Sequence, residues 1–202
     1  MKIGFVLECQ PKGPDAAIYP YLANFFCPEL EIEKPETLGN KSYVMSDGPD
    51  VAEILLESGC DHVFIIWDRM PKWGGTGRCE DHIAIIEARL AELEIDQDKI
   101  TLCCITEMLE SWLIADSRGI NNWLATKTNR NLRSFDDHAT EAEQTAPKER
   151  IKRYLGEHFN KWKYNDYNDN FAIVKQFPDF DRVARRNASF AHFREHIERI
   201  CP

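Results

Sequence analysis

The chain has 202 residues, of which 43% are hydrophobic and 29% charged. This composition is typical of a globular protein with one domain, or one domain with a helical extension. No run of eighteen apolar residues occurs, and the first residues read as a strand and not as a signal peptide, so we expect a cytoplasmic protein without a membrane span. The formal net charge is −9, and the acidic first part of the chain, residues 1–117, argues against broad, non-specific binding to nucleic acid.

Strand-like and helix-like segments alternate through the first part of the chain. The run HVFIIWD is apolar without interruption, which is typical of a strand buried on both faces. Strands that alternate with helices predict an α/β fold of the Rossmann-like kind, with a mostly parallel four-stranded sheet flanked by helices. In chain order the predicted elements are the strand KIGFVLEC, the helix PDAAIYPYLANFF, the strand KSYVMS, the helix DGPDVAEILLES, the strand HVFIIWD, the helix EDHIAIIEARLAEL, the strand KITLCCI and the helix TEMLESWLIAD.

After this part of the chain the strand pattern is lost. Residues 126–147 are polar and read as a loop, and helical patterns follow at 147–159, 169–187 and 189–199. We therefore predict an α/β domain over residues 1–117 and a helical extension over residues 118–202, packed on the same domain.

Charge is distributed unevenly between these two parts. Residues 1–117 carry 9 Lys and Arg against 22 Asp and Glu, whereas residues 118–202 carry 16 against 12. An acidic first part suits a divalent cation if several carboxylates converge, and a basic second part suits phosphate contacts. Solvated helix faces explain the same charge counts.

The seven cysteines are odd in number and include no C-x-x-C pair. Several lie in apolar runs, where cysteine behaves as a small hydrophobic residue. We therefore expect neither a zinc site nor a disulfide framework, and we expect a reducing compartment.

Carboxylates stand where the predicted strands end. Glu8 follows the first strand and Asp68 ends the third, while Glu110 and Asp116 lie in the helix after the fourth. In parallel sheets, ligands bind beyond the carboxyl ends of the strands. Carboxylates that converge there repel one another, and Mg²⁺ or Mn²⁺ relieves this cost and can activate water for attack on a phosphate. The alternative for each acid alone is a helix cap or a solvated surface residue.

The loop after the third strand offers candidate substrate contacts. Arg69, Lys72 and Arg78 are suited to phosphates, and Trp73 is suited to stacking on a base. Ion pairing for Arg69 and packing on the core for Trp73 are the alternatives. The nearby WGGTG lacks the G-x-x-x-x-G-K-[ST] pattern, so we do not expect a nucleotide-binding P-loop.

Three segments, GFVLEC, VFIIWDRMP and ITEMLESWLIAD, resemble the Toprim-like domains in this order. The segment ESWLIAD resembles the E-x-W-L-x-A-D signature of a little-characterised bacterial family of that type. The segment NASFAHF resembles that family's C-terminal pattern, so the resemblance touches most of the chain. Toprim domains occur in topoisomerases, primases and nucleases of the overcoming-lysogenization-defect type.

This resemblance implies a set of roles. Toprim sites use a Glu after the first strand and an Asp-x-Asp after the third, so Glu8 is implied as ligand or general acid/base and Asp68 as the first Asp. Glu110 is implied as a further acid. The chain departs from the pattern at Met70, where the second Asp is expected, and at Cys9, where a Gly is usual.

Two functions follow as expectations. The first is a Mg²⁺- or Mn²⁺-dependent phosphodiesterase, a nuclease on DNA or RNA that acts as effector in bacterial anti-phage defence. The resemblance implies, as its partner, an ATPase of the ABC or structural-maintenance-of-chromosomes type. The second is a non-catalytic partner of such an ATPase, which the methionine at position 70 favours. The sequence does not determine the oligomeric state and is compatible with a homo-oligomer. For the second function the docking surface would comprise Trp123, Tyr154, Trp162 and Phe190. Packing in the core is the alternative for these aromatic residues.

Overall fold

The computed structural model describes residues 1–70, 77–128, 134–136, 146–158 and 164–202. The chain divides into two compact units, and the first unit comprises Met1–Thr106 together with His192–Pro202. The second unit comprises Glu107–Ala191. This division differs from the predicted boundary after residue 117. The last residues of the chain belong to the first unit, where the ring of Phe193 packs on that of Phe64 with centroids 5.9 Å apart.

A parallel sheet forms the centre of the first unit. Its strands are β1 (Lys2–Leu7), β2 (Glu31–Ile32), β3 (Glu36–Thr37), β4 (His62–Asp68) and β5 (Ile100–Ile105). The central strands β1 and β4 pair with each other, and β5 pairs with the other side of β4. The short strands β2 and β3 both pair with β1, one at each end, and so share one position at the sheet edge. All four pairings are parallel, which confirms the predicted fold class.

Helices connect the strands of this sheet. They are α1 (Asp15–Phe26), α2 (Lys41–Glu57) and α3 (Cys79–Glu92), and a short 3₁₀ helix, Gln97–Lys99, precedes β5. Apolar side chains of α2 and α3 pack on β4, and the core there includes Val44, Leu55, Ile86, Ile65 and Trp67. Residues 62 to 67 of β4 are all buried, as the run HVFIIWD predicts.

The prediction that KSYVMS forms the second strand is wrong. These residues form the first turns of α2, which is capped by Asn40, whose side chain accepts a hydrogen bond from the backbone N–H of Tyr43 at 3.1 Å. The helix then continues through Pro49, which the sequence suggested as part of a helix start. The real edge strands lie at positions 31–37, in a charged segment without an apolar pattern.

Two disulfides correct the prediction about the cysteines. Cys27 is bonded to Cys201 and Cys79 to Cys104, while Cys9, Cys60 and Cys103 take no part in these disulfides. The partners are 174 and 25 residues apart, so a search for closely spaced pairs cannot find them. Because disulfides persist mainly in oxidising compartments, the cysteines do not support the predicted reducing compartment.

The second unit is built from helices in the part of it that the structure describes. They are α4 (Glu110–Ala115), α5 (Ser117–Lys127), α6 (Pro147–His158), α7 (Asp166–Val174), α8 (Phe180–Arg186) and the start of α9 (Ala188–Ile200). The predicted helix at 147–159 is confirmed as α6. None of the helices described in either unit is long and apolar enough to cross a membrane.

Tryptophan side chains form the core of the second unit. Trp112 is buried, donates from Nε1 to Ser189 Oγ at 2.9 Å and meets the ring of Phe190 edge-on at 5.0 Å. Trp123 and Phe190 are each 1% exposed. The predicted docking surface is therefore wrong for these two residues, whose side chains are part of the core. Trp162 lies outside the described residues.

His62, in the first unit, gives a prediction about acid stability. It is buried, and its Nε2 lies 2.8 Å from Thr101 Oγ1. Burial, with a smaller effect of Arg199, lowers the pKa of His62 from 6.5 to about 4. An unfolded chain takes up this proton near pH 6.5, whereas the folded chain resists it, so stability falls as the pH drops through this window.

We expect His62 to lower the free energy of unfolding by up to about 3 kcal/mol between pH 6.5 and pH 4, since one pKa unit is worth about 1.4 kcal/mol. The variant His62→Gln keeps a polar group opposite Thr101 but cannot titrate, and it should lose this part of the decline. Urea unfolding of both proteins across the pH range measures the difference. An equal decline in the two proteins would contradict the assignment.

Candidate active site

Glu8 and Asp68 meet at the carboxyl edge of the sheet. Glu8 follows the last residue of β1, and its backbone N–H continues the pairing with β4 by donating to Ile66 O at 3.2 Å. The side chain then reaches across to β4, where Glu8 Oε2 accepts the backbone N–H of Asp68 at 2.9 Å. The structure thus brings together the two acids that the sequence places at adjacent strand ends.

Lys41 supplies a positive charge at the same edge. It is the first residue of α2 and is only 4% exposed, and its Nζ donates to Arg69 O at 2.7 Å. The charge of Lys41 acts on both Glu8 and Asp68. A buried ammonium group is rare unless its charge is compensated, so these two acids explain why Lys41 is tolerated there.

Burial dominates the charge states of this group. Desolvation raises the pKa of the Glu8 carboxyl, although Lys41 and the N–H of Asp68 act against it. Desolvation likewise lowers the pKa of Lys41, against the pull of the two acids. Both groups are therefore shifted toward their neutral forms, because burial outweighs the attraction between their charges. A cation bound at Glu8 would favour its charged form.

Cys9 follows Glu8 and does not act as a nucleophile. Burial, with the negative charge of Asp15 as a smaller cause, raises the pKa of the Cys9 thiol to about 12. At neutral pH the thiol stays protonated, and the thiol form is a poor nucleophile.

The loop after β4 is described in part. Arg69 continues the sheet through its N–H, which donates to Ile105 O at 2.7 Å. Arg78 holds Asp81 with two hydrogen bonds, from Nε at 3.0 Å and NH2 at 2.6 Å, on an exposed surface. Arg78 is therefore paired with an acid in the first turn of α3. The candidate contacts Lys72 and Trp73 lie outside the described residues.

Glu110 lies in the second unit, where it is buried at the start of α4. Its Oε1 accepts hydrogen bonds from Tyr164 OH and Asn170 Nδ2, both at 3.3 Å, and lies 3.9 Å from Lys148 Nζ. These contacts place the carboxylate in a polar network of the second unit. Its assignment as a metal ligand stays a prediction.

Asp116, also in the second unit, is fully buried and caps α5. Its oxygens accept hydrogen bonds from Arg118, from the side-chain NH2 at 2.6 Å and from the backbone N–H at 3.1 Å. Arg182 Nε lies 3.7 Å away. This arrangement is that of a structural ion pair at a helix N-terminus. Its assignment as a ligand, like that of Glu110, stays a prediction.

The donor set of Glu8 and Asp68 fits a hard divalent cation. Mg²⁺ is commonly held by one or two carboxylates together with water and substrate phosphates, so two acids are sufficient protein ligands. The half-buried Met70, at the position of the expected second Asp, adds no ligand because a thioether is too soft for Mg²⁺. Within the described part of the chain, one group of three potential metal ligands has its ligating atoms within 4.8 Å of one another. It comprises Cys27, Glu29 and Cys201 and does not include Glu8 or Asp68.

Sequence reasoning missed Lys41, because it assigned residues 41–46 to a strand. The residue before it carries a usable signal, since Asn is among the best helix N-caps. The buried residues of α2 that follow recur at 41, 44, 45 and 48, which is a helical spacing.

Comparison of the chain with protein-family models, with curated proteins and with solved structures finds no match.

Proposed function

We propose that the chain is a Toprim-like, divalent-metal-dependent phosphodiesterase that cleaves DNA or RNA. The observation that carries the proposal is the hydrogen bond of 2.9 Å from the backbone N–H of Asp68 to Glu8 Oε2, which joins the two residues at the carboxyl edge of a parallel sheet. This is where ligands bind in such sheets. When bound, Mg²⁺ or Mn²⁺ supplies positive charge at a phosphodiester and lowers the pKa of water.

The protein's own groups have distinct roles in this proposal. Asp68 would bind the ion, and Glu8 would bind it while its orientation is fixed by the N–H of Asp68. The raised pKa of Glu8 suits a group that also takes up and releases a proton. Lys41 would compensate the two acids before the ion binds and attract the phosphate of the substrate.

The cellular role is proposed from the resemblance. Toprim nucleases of the overcoming-lysogenization-defect type imply an effector in anti-phage defence with an ATPase partner. The second candidate function is a non-catalytic subunit of that ATPase. It is favoured by Lys41, since an ammonium group can serve as a permanent counter-ion for Glu8 and Asp68, and by Met70.

A cleavage assay separates the two candidates. Wild-type protein, with and without a candidate ATPase partner of the ABC or structural-maintenance-of-chromosomes type, would be incubated with plasmid, single-stranded DNA and transfer RNA in Mn²⁺, Mg²⁺ or chelator. We expect cleavage only with the metal. Glu8→Gln should lower its rate at least about 100-fold, as expected when a group acting in proton transfer is removed. Asp68→Asn should lower it at least about tenfold, because a carboxylate ligand of the ion is lost.

Glu31→Gln is the matched control, because Glu31 is exposed and lies opposite Lys2 in the β1–β2 pairing, at the other end of β1 from Glu8. Its rate should equal that of the wild type. Equal rates for Glu8→Gln and wild type would contradict the proposal. Absence of cleavage in every condition, together with stable association with the ATPase, would favour the second candidate.

A further inference from the structure

A second group of potential ligands lies in the first unit, at the Cys27–Cys201 disulfide. Glu29 Oε2 lies 3.4 Å from Cys27 Sγ and 3.7 Å from Cys201 Sγ. A disulfide sulfur carries no proton, so the contact is not a hydrogen bond in the oxidised protein. The same distances suit a carboxylate that faces two thiols or shares a cation with two thiolates.

Local sequence accounts for this arrangement. Helix α1 ends at Phe26, and the N–H of Cys27 closes it by donating to Ala23 O at 2.9 Å. Pro28 cannot donate to continue the helix, and a turn closes when the N–H of Leu30 donates to Cys27 O at 3.3 Å. This turn places Glu29 beside Cys27.

From this geometry we infer that Cys27, Glu29 and Cys201 form a zinc site when the disulfide is reduced. Their ligating atoms all lie within 4.8 Å of one another. Ligand atoms that are each about 2.0–2.3 Å from a zinc ion lie about 3.3–3.8 Å apart in a tetrahedron. The oxygen of Glu29 already lies at such distances from both sulfurs, whereas the two sulfurs must move apart once their bond is broken. Two thiolates and one carboxylate are three zinc ligands, and water would complete the tetrahedron.

Reduction needs a dithiol, and the burial of the two sulfurs determines where it attacks. Cys27 is fully buried, whereas Cys201 is partly exposed and Glu29 is exposed. A thiolate of the dithiol attacks Cys201 Sγ, the Cys27–Cys201 bond breaks, and Cys27 leaves as a thiolate. The second thiol of the dithiol then resolves the mixed disulfide. The dithiol becomes a disulfide, and its two electrons and two protons pass to Cys27 and Cys201.

Zinc binding then displaces those two protons. Zn²⁺ binds all three groups and neutralises the negative charges that it brings together. The oxidised chain has no thiolate to offer, so the redox state would decide whether zinc is bound.

Zinc titration of the oxidised and the dithiol-reduced protein tests the inference, with a chromophoric chelator as competitor. We expect one Zn²⁺ per reduced chain at this site and none in the oxidised chain. Co²⁺ bound to the reduced protein should show thiolate-to-cobalt absorption. Glu29→Gln should lower zinc affinity at least about tenfold, because even residues that only hydrogen-bond the metal ligands typically contribute about 10- to 100-fold.

The second disulfide offers a matched control. Cys79→Ser/Cys104→Ser should bind zinc like the wild type, whereas Cys27→Ser/Cys201→Ser should lose the site. Equal zinc affinity in these two reduced variants would overturn the inference, as would reduced wild type that binds no zinc. If reduction unfolds the chain, circular dichroism should show that zinc restores the fold. Zinc binding without refolding, unaffected by Glu29→Gln, would also overturn it.

Discussion

The variant Lys41→Met is expected to lower the free energy of unfolding by about 1.5 kcal/mol in the presence of a chelator, the lower end of the contribution of a hydrogen bond to a charged group. Methionine fills much of the space of the Lys41 stem but removes the positive charge that acts on Glu8 and Asp68. The hydrogen bond from Nζ to Arg69 O is lost as well. The cost stays at the lower end because Glu8, whose pKa is already raised by burial, can take up a proton.

Mn²⁺ is expected to restore part of this loss. A divalent ion would replace the ammonium group as counter-ion, and a ligand that binds only the folded state stabilises it in proportion to its affinity. The gain should be larger in Lys41→Met than in the wild type, and it should vanish in Lys41→Met/Glu8→Gln. Urea unfolding in Mn²⁺ and in chelator measures these differences.

Lys34→Met is the control for loss of a lysine, because Lys34 is exposed. Its stability should match that of the wild type. Unchanged stability of Lys41→Met in chelator would contradict the assignment of Lys41 as the buried counter-ion. The same stability with and without Mn²⁺ in that variant would contradict the assignment of this edge as a cation site.

The strands β1, β4 and β5 could be predicted from the sequence, whereas the short strands β2 and β3 beside β1 could not. β4 shows an uninterrupted apolar run because both of its faces are covered. The edge strands β2 and β3 have two residues each, and Pro35, which lies between them, has no N–H to offer to a ladder. Nothing in the hydrophobic pattern of EIEKPET identifies such short charged strands.

The candidate site could be predicted only in part, because a local sequence pattern identifies some of its residues and not others. The positions of Glu8 and Asp68 follow from strand ends and parallel topology, which a sequence encodes locally. The position of Lys41 depends on where α2 begins, and the misplaced strand hid it. The disulfide between Cys27 and Cys201 depends on the return of the last helix to the first unit, which no local pattern specifies.

The second large effect expected is on the binding of Mn²⁺ at the carboxyl edge. Glu8→Gln/Asp68→Asn replaces two carboxylates by amides of nearly the same shape, so the fold should be kept while the charge is lost. Oxygen ligands with negative charge supply most of the affinity for a hard cation. Their loss should weaken Mn²⁺ binding at least about 100-fold, since even partners outside the first shell contribute 10- to 100-fold.

The most direct test is a titration of oxidised protein with Mn²⁺, with the free ion followed by electron paramagnetic resonance. Wild type and the control Glu31→Gln/Glu57→Gln, which changes two exposed acids, should bind one Mn²⁺ with the same affinity. Glu8→Gln/Asp68→Asn should leave the ion free over the same range. Mn²⁺ binding that is unchanged in Glu8→Gln/Asp68→Asn, or absent from the wild type, would contradict a divalent-metal site at Glu8 and Asp68.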